Sequence, residues 1–220
     1  MTCGKPQVRT LYCPPLNDYK TLSAGKWRQA LVVQKSRFIA FATRVESSID
    51  AQAFIKSVAL PDATHHCYAY VTVDGQKSSD NGEPAGTAGL PILQAIKKAQ
   101  LTDVVVVVER YFGGIKLGTG GLARAYGQVA SQVLATASQL WMRDCVLLSF
   151  NSNYEQQTAV ARLINEQGKQ MGVEYGDLIH WRVAVPVDKK NAFLVALAEV
   201  MRATPNVDIF KSHVWVEFNC

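Results

Sequence analysis

The chain has 220 residues, 48% of them hydrophobic and 19% charged, with a formal net charge of +5. That is the balance of a soluble globular protein with room for one or two domains. No apolar stretch approaches membrane-spanning length, and the N-terminus lacks the apolar run of a signal peptide, so no membrane association is expected.

The cysteines, Cys3, Cys13, Cys67, Cys145 and Cys220, are odd in number, scattered, and form no Cys-x-x-Cys pair. This pattern points to free thiols in a reducing cytoplasm and argues against a zinc site. The mildly basic balance permits a nucleic-acid or ribosomal partner without requiring one.

Residues 1–25 show no periodicity and carry Gly4, Pro14, Pro15 and Asn17, so they read as an N-terminal extension. From Lys26 to Val45 two strands follow, with the polar run Gln34–Arg37 as their turn. Lys35 and Arg37 there are either contacts for an anionic partner or solvated turn residues. Ser47 or Ser48 caps a short helix with the apolar face Ala51, Phe54, Ile55 and Val58, stopped by Pro61. His65 and His66 lead into a strand from Cys67 to Val73. Adjacent strand residues face opposite ways, so His66 and Cys67 do not pair as base and nucleophile.

Ser79-Asp80-Asn81-Gly82-Glu83-Pro-Ala-Gly86-Thr87 is a polar, glycine-punctuated loop ahead of a helix bearing Leu93, Ile96 and Ala99. Pro91 suits that helix's first turn and Thr87 is a plausible cap. Asp80 and Glu83 are candidates for a hard cation or for acid–base work. Alternatively, Asp80, Asn81 and Glu83 bind the loop's own amides and hold its shape. No complete triad is visible.

The chain's organising stretch is Asp103–Tyr126. Val104 to Val108 form a strand with no polar alternation, which predicts burial on both faces. Gly113, Gly114, Gly118, Gly120 and Gly121 follow. A helix then runs from about Gly118 to Leu140 with the stripe Leu122, Ala125, Val129, Val133 and Ala137. Strand, glycine loop and helix start make an anion site: Arg110, Lys116, Thr119 and Arg124 lie beside backbone N–H groups that a phosphate can approach. The competing reading is a tight connection whose glycines serve packing. Walker A fails, because Thr119 stands where its lysine belongs; Gly118-Thr-Gly120-Gly-Leu-Ala123 fits the looser dinucleotide pattern, but its strand ends several residues too early for that fold.

After a boundary near residue 142 the order is β-α-β-β-α-β, the ferredoxin-like split unit, with a phase change near Lys211 that suggests a bulge. It lacks a cluster of catalytic residue types and reads as a binding or docking module, so a protein partner for this domain is one expectation.

Ser79–Gly89 and Arg110–Tyr126, with Lys35-Ser-Arg-Phe-Ile39 and His65-His66-Cys67, resemble the signature patches of the IMPACT family, including its bacterial YigZ-like members. Where the family usually has aspartate this chain has Asn81. The resemblance implies an α+β protein. Its N-terminal domain, residues 26–142, would be ribosomal protein S5 domain 2-like. Its C-terminal domain, residues 143–220, would be ferredoxin-like and similar to the last domain of elongation factor G. It further implies kinship with eukaryotic regulators of translation. Their scaffold contact uses an extra domain for which the residues before 26 leave no room, so that contact is not carried over.

Two functional expectations result. The first is a non-enzymatic, translation-associated protein that binds RNA or the ribosome through the glycine loop, without cofactor or metal. The second is an enzyme or sensor for a small phosphorylated ligand or nucleotide, built where the two signature loops meet.

Overall fold

A computed structural model describes residues 18–219 and divides them into two compact units, one spanning Tyr19–Leu140 and the other Trp141–Asn219 with Asp18. Most of the predicted extension lies outside the described residues. Its last part is an exception: Tyr19–Leu22 is a strand, β1, in the first unit. Four residues are too few to show a period, and long-range contacts hold them. The Tyr19 hydroxyl donates to Asp103 Oδ2 at 2.6 Å, and Thr102 N donates to Lys20 O at 2.9 Å.

The first unit continues with β2 (Lys26–Val33) and β3 (Ser36–Arg44), then α1 (Ser48–Val58). Next come the hairpin β4 (His65–Thr72) and β5 (Gly75–Ser79), α2 (Gly89–Lys98), β6 (Val104–Tyr111) and α3 (Gly118–Thr136). The sheet order is β2-β3-β6-β4-β5, antiparallel throughout. The valine strand β6 is therefore central. Val104, Val106 and Val108 pack under α2 and α3, while Val105 and Val107 pack under α1. Burial on both faces needs only helices on both sides, not a parallel sheet. The β2–β3 turn is two residues, Gln34 and Lys35, with φ of +43° and +67°, the left-handed pair that matches strand twist.

The second unit holds β7 (Gln139–Ser152), α4 (Gln157–Gln167), β8 (Lys169–Tyr175), β9 (Ile179–Pro186), α5 (Lys190–Met201) and β10 (Val207–Asn219). β10 pairs with β7, β7 with β9, and β9 with β8. Val160, Leu163 and Ile164 of α4 and Phe193 and Leu197 of α5 cover one face, over Val146, Leu148, Phe150, Trp181 and Val183. The phase change expected in the last strand falls at His213, whose φ is +56°. α3 ends at Thr136 and β7 begins at Gln139, so the long helix is shorter than its apolar stripe suggested: Ala137, the stripe's last member, is the extended C-cap.

Candidate functional site

Both signature loops and the β2–β3 turn converge at one end of the first unit's sheet. β6 delivers Arg110, β3 delivers Phe38, α3 delivers Tyr126, and the loop after β5 delivers Asp80 and Glu83. The strand residues are placed by antiparallel register, with Phe38 opposite Arg110 and His65 opposite Arg110 on the other side.

The Ser79–Gly89 loop is held from within by Asp80. Its Oδ1 accepts N–H bonds from Ala88 and Gly89 at 2.9 and 2.8 Å, and its Oδ2 accepts one from Gly86 at 2.9 Å. Burial opposes ionisation, but these three bonds outweigh it and hold the carboxyl below its usual range. Asp80 thereby serves as the cap of α2 from eight residues upstream. Thr87 does not cap it, since its hydroxyl donates to Pro84 O at 2.7 Å. Of Asp80, Asn81 and Glu83, only Asp80 binds the loop's own amides through its side chain. Asn81, at φ +41°, uses its carbonyl to accept from His65 Nδ1 at 2.8 Å, which places that ring's proton on Nδ1. Its side-chain oxygen accepts from His66 N at 3.2 Å, and Ser79 Oγ accepts from Asn81 N at 3.3 Å. Gly82 and Gly86 lie exposed on this loop.

Glu83 does something different. It is 8% exposed and turns inward, where Oε1 accepts from Arg110 Nη1 at 2.6 Å and from the Tyr126 hydroxyl at 2.9 Å. The guanidinium lies near the rings of Phe38 and Phe112, 5.6 and 5.5 Å from their centroids. Chain order puts Arg110 beside the glycines; the fold turns it inward to a carboxylate. Cys67 completes the cluster: its thiol donates to Asp80 O at 2.9 Å, and Sγ lies 3.4 Å from the Tyr126 oxygen. Burial pushes the Cys67 thiol up to about 12 and, with Cys67 and Glu83 as neighbours, pushes the Tyr126 hydroxyl well up too. A thiol so placed is an inert packing group rather than a nucleophile. His66 faces the opposite side of β4, donating through Nε2 to Leu60 O at 2.8 Å, with buried Glu109 3.7 Å away.

The glycine loop divides by cause. A Cβ on Gly113 would collide with the backbone of Lys35 and Ser36, and Gly113 N donates to Ser36 Oγ at 3.2 Å. Gly113 thus seats the loop on the β2–β3 turn and brings Lys35 to it. Gly114 and Gly118 have φ of +83° and +69°. A Cβ on Gly121 would press on Leu117 at 3.1 Å. Gly120 is different: a Cβ there would meet nothing closer than Arg124 Nη1 at 4.0 Å. The first turn of α3 has no side-chain cap, and Lys116, Thr119 and Arg124 around it are exposed. Arg37, also exposed, stacks on Tyr111 with 4.4 Å to the ring centroid.

Among the described residues, no three His, Cys, Asp or Glu side chains come together as a metal-ligand set. No helix among them is long and apolar enough to cross a membrane. Tyr126 and Cys67 are the cluster members that sequence reasoning did not place in a site. Their signal was weak, because neither is polar enough to stand out on an apolar face.

The Impact N-terminal domain model matches residues 34–134, which contain both loops. IMPACT family member YvyE of Bacillus subtilis is 35% identical over 202 residues, covering 87% of this chain and 91% of that protein. The chain belongs to the IMPACT family. A second member, YigZ of Escherichia coli, is 37% identical over 180 residues, 78% of this chain and 88% of that protein. Protein IMPACT-B of Xenopus tropicalis is 30% identical over 114 residues, 47% of this chain and 35% of its own length. The crystal structure of a hypothetical protein superposes with a TM-score of 0.58 at 32% identity, covering 90% of this chain and 99% of that one. IMPACT family membership thus spans both units.

Proposed function

We propose that this IMPACT family protein is a non-enzymatic, translation-associated factor that binds RNA or the ribosome in the cytoplasm, with the glycine loop and the start of α3 as its phosphate site. The contrast between two helix starts carries this reading. α2 begins on the carboxylate of Asp80, whereas α3 begins with uncapped N–H groups, a bare Gly120, and exposed Lys116 and Arg124. An uncapped helix start with cations beside it suits a backbone phosphate. Lys35, seated against Gly113, extends the same cationic edge.

The folds are read as ribosomal protein S5 domain 2-like for the first unit and ferredoxin-like for the second. The pairing of β10 with β7, β7 with β9 and β9 with β8, with both helices on one face, supports the second assignment. Kinship with eukaryotic IMPACT proteins supports the link to translation.

The other reading, a site for a small phosphorylated ligand, has one observation in its favour. The Glu83–Arg110 bond ties the two signature loops together beside the glycine loop. A thermal-shift screen of the purified protein with short RNAs, nucleotides and sugar phosphates, at low and moderate salt, separates the two. Salt-sensitive stabilisation by RNA that is lost in Lys116→Ala supports the translation reading. A salt-insensitive rise with one small phosphate, lost in the same variant, favours the ligand site. If Lys116→Ala and Arg124→Ala change neither behaviour, the phosphate site is wrong.

A further inference from the structure

α2 and α3 run side by side in the same direction over the sheet. Gly127 faces Pro91, with room between them for a methyl group, and a groove opens between the helices on their outer side. One stretch, about 360 Å³, is lined by Gln94, Lys98, Ala123, Arg124, Gly127 and Ser131 among others. It passes through shared Ala95, Lys98 and Ser131 into a second stretch of about 300 Å³, which reaches Ala99 and Ala135. From Arg124 to Ala135 the track is about 16 Å long at the rise of an α-helix.

The charge around this groove is one-sided. Of the chain's 18 Asp and Glu residues, none falls between positions 84 and 102 or between 111 and 143. Neither helix carries an acid, while Lys97, Lys98 and Arg124 are all cationic. The overall charge of +5 conceals this, because the acids are gathered elsewhere. The groove also lacks what a docked protein needs. Its floor and walls are Ala, Gly, Pro, Ser and Gln, and Leu134, the one large apolar residue lining it, is only 1% exposed. Protein partners anchor on aromatic or aliphatic side chains, or in pockets that accept them. A sugar–phosphate backbone instead needs cations, close approach and hydrogen-bond donors such as Gln94 and Gln128.

We infer that the α2–α3 groove is the track for the backbone of a single RNA strand. It begins at Arg124, beside the α3 start, passes Lys98 and ends at Ala135. The inference rests on the RNA reading above and extends it to a second set of residues. Bases would face outward, so binding would show little sequence preference.

The test is fluorescence anisotropy of the full chain with a labelled single-stranded RNA of roughly 10 nucleotides, a typical single-strand site size, over a salt series. Lys98→Glu and Ser131→Glu are the groove variants. Lys116→Ala probes the glycine loop. Lys56→Glu, on the opposite face of the sheet, controls for net charge; thermal melts confirm folding. Each groove variant is expected to weaken binding at least about tenfold and to flatten the salt slope by about 0.7 for each phosphate no longer neutralised. Lys56→Glu is expected to leave affinity within about twofold, because a distant exposed charge is screened by salt. Groove variants that bind like the parent while Lys116→Ala does not would overturn the groove and leave the phosphate loop standing. The reverse pattern would support the groove and sink the loop. Equal weakening by Lys56→Glu, or tighter binding of a polyglutamate peptide than of RNA, would also overturn it. A parent protein that binds no RNA at low salt would overturn both readings together.

Discussion

Glu83 and Arg110, 27 residues apart, form a buried ion pair with 2.6 Å between Oε1 and Nη1 and side-chain exposures of 3% and 7%. The pair fastens the Ser79–Gly89 loop to the end of the central strand, and Tyr126 adds a bond from α3 to the same oxygen. Three elements therefore share one carboxylate. Removing one partner of such a pair strands the other without compensation, which typically costs about 3–5 kcal/mol. Glu83→Ala is expected to lose that much in urea unfolding. The double variant Glu83→Leu/Arg110→Met is expected to recover most of it, since an apolar pair of similar volume removes the buried charge altogether. Equal losses in the single and double variants would show that the pair is not the fastening.

Asp80 makes a separate prediction, because its bonds are to backbone. Asp80→Ala leaves three N–H groups of the loop and the α2 start without their acceptor. A loss of about 2–3 kcal/mol is expected, with Asp80→Asn intermediate because its single oxygen keeps part of the set. Native-state hydrogen exchange should show the amides of Gly86, Ala88 and Gly89 losing protection first. The pH dependence follows from the lowered carboxyl. The unfolded chain takes up its proton near 3.8 and the folded chain only further down. The stability from Asp80 is thus full above that value and is lost as pH falls through the folded pKa.

What could be read in advance was local. The valines of β6 and the apolar stripe of α3 announce their elements because each repeats over many residues, and the Ser47 cap is decided within three residues, where Asp50 N reaches Ser47 Oγ at 3.1 Å. β1 and β5 were not legible, since one has four residues and the other, Gly75–Ser79, is polar and mostly exposed at the sheet's edge. Nor was the true cap of α2, because capping rules look one residue upstream, whereas Asp80 lies nine positions before the Gly89 amide it accepts from. The candidate site was visible as two motifs, but not as one cluster. Which side chain meets Arg110 depends on register across β3, β6 and β4, and register is a long-range property.

Alkaline pH should weaken the protein through groups that the acid range leaves untouched. Burial pushes the thiols of Cys67 and Cys145 from about 9 up to about 12. The unfolded chain releases these protons near 9, while the folded chain keeps them. Their stability is thus fully present below about 9 and is lost as pH rises toward about 12. Tyr126, raised by burial, acts in the same direction. Urea midpoints are expected to be flat from about pH 6 to 8 on this account and to fall steadily above about 9. Cys67→Ala should reduce the slope of that fall, and an unchanged slope would show that Cys67 is not one of its sources.

Gly113 and Gly120, seven positions apart, should answer oppositely to the same substitution. At Gly113 a methyl group meets the Lys35 and Ser36 backbone, which no side-chain motion relieves. Gly113→Ala is expected to destabilise by at least about 3 kcal/mol, in the upper range for overpacking, because the β2–β3 turn must move. At Gly120 the methyl group has space, and alanine favours a helix by up to about 1 kcal/mol over glycine. Gly120→Ala should therefore melt at the same temperature or slightly higher. If the bare first turn of α3 is where phosphate approaches, the same variant should bind RNA more weakly despite its stability. A Gly120→Ala protein that is more stable and binds as well as the parent would mean that the glycine serves neither packing nor ligand, and the phosphate site would have to be sought away from the α3 start.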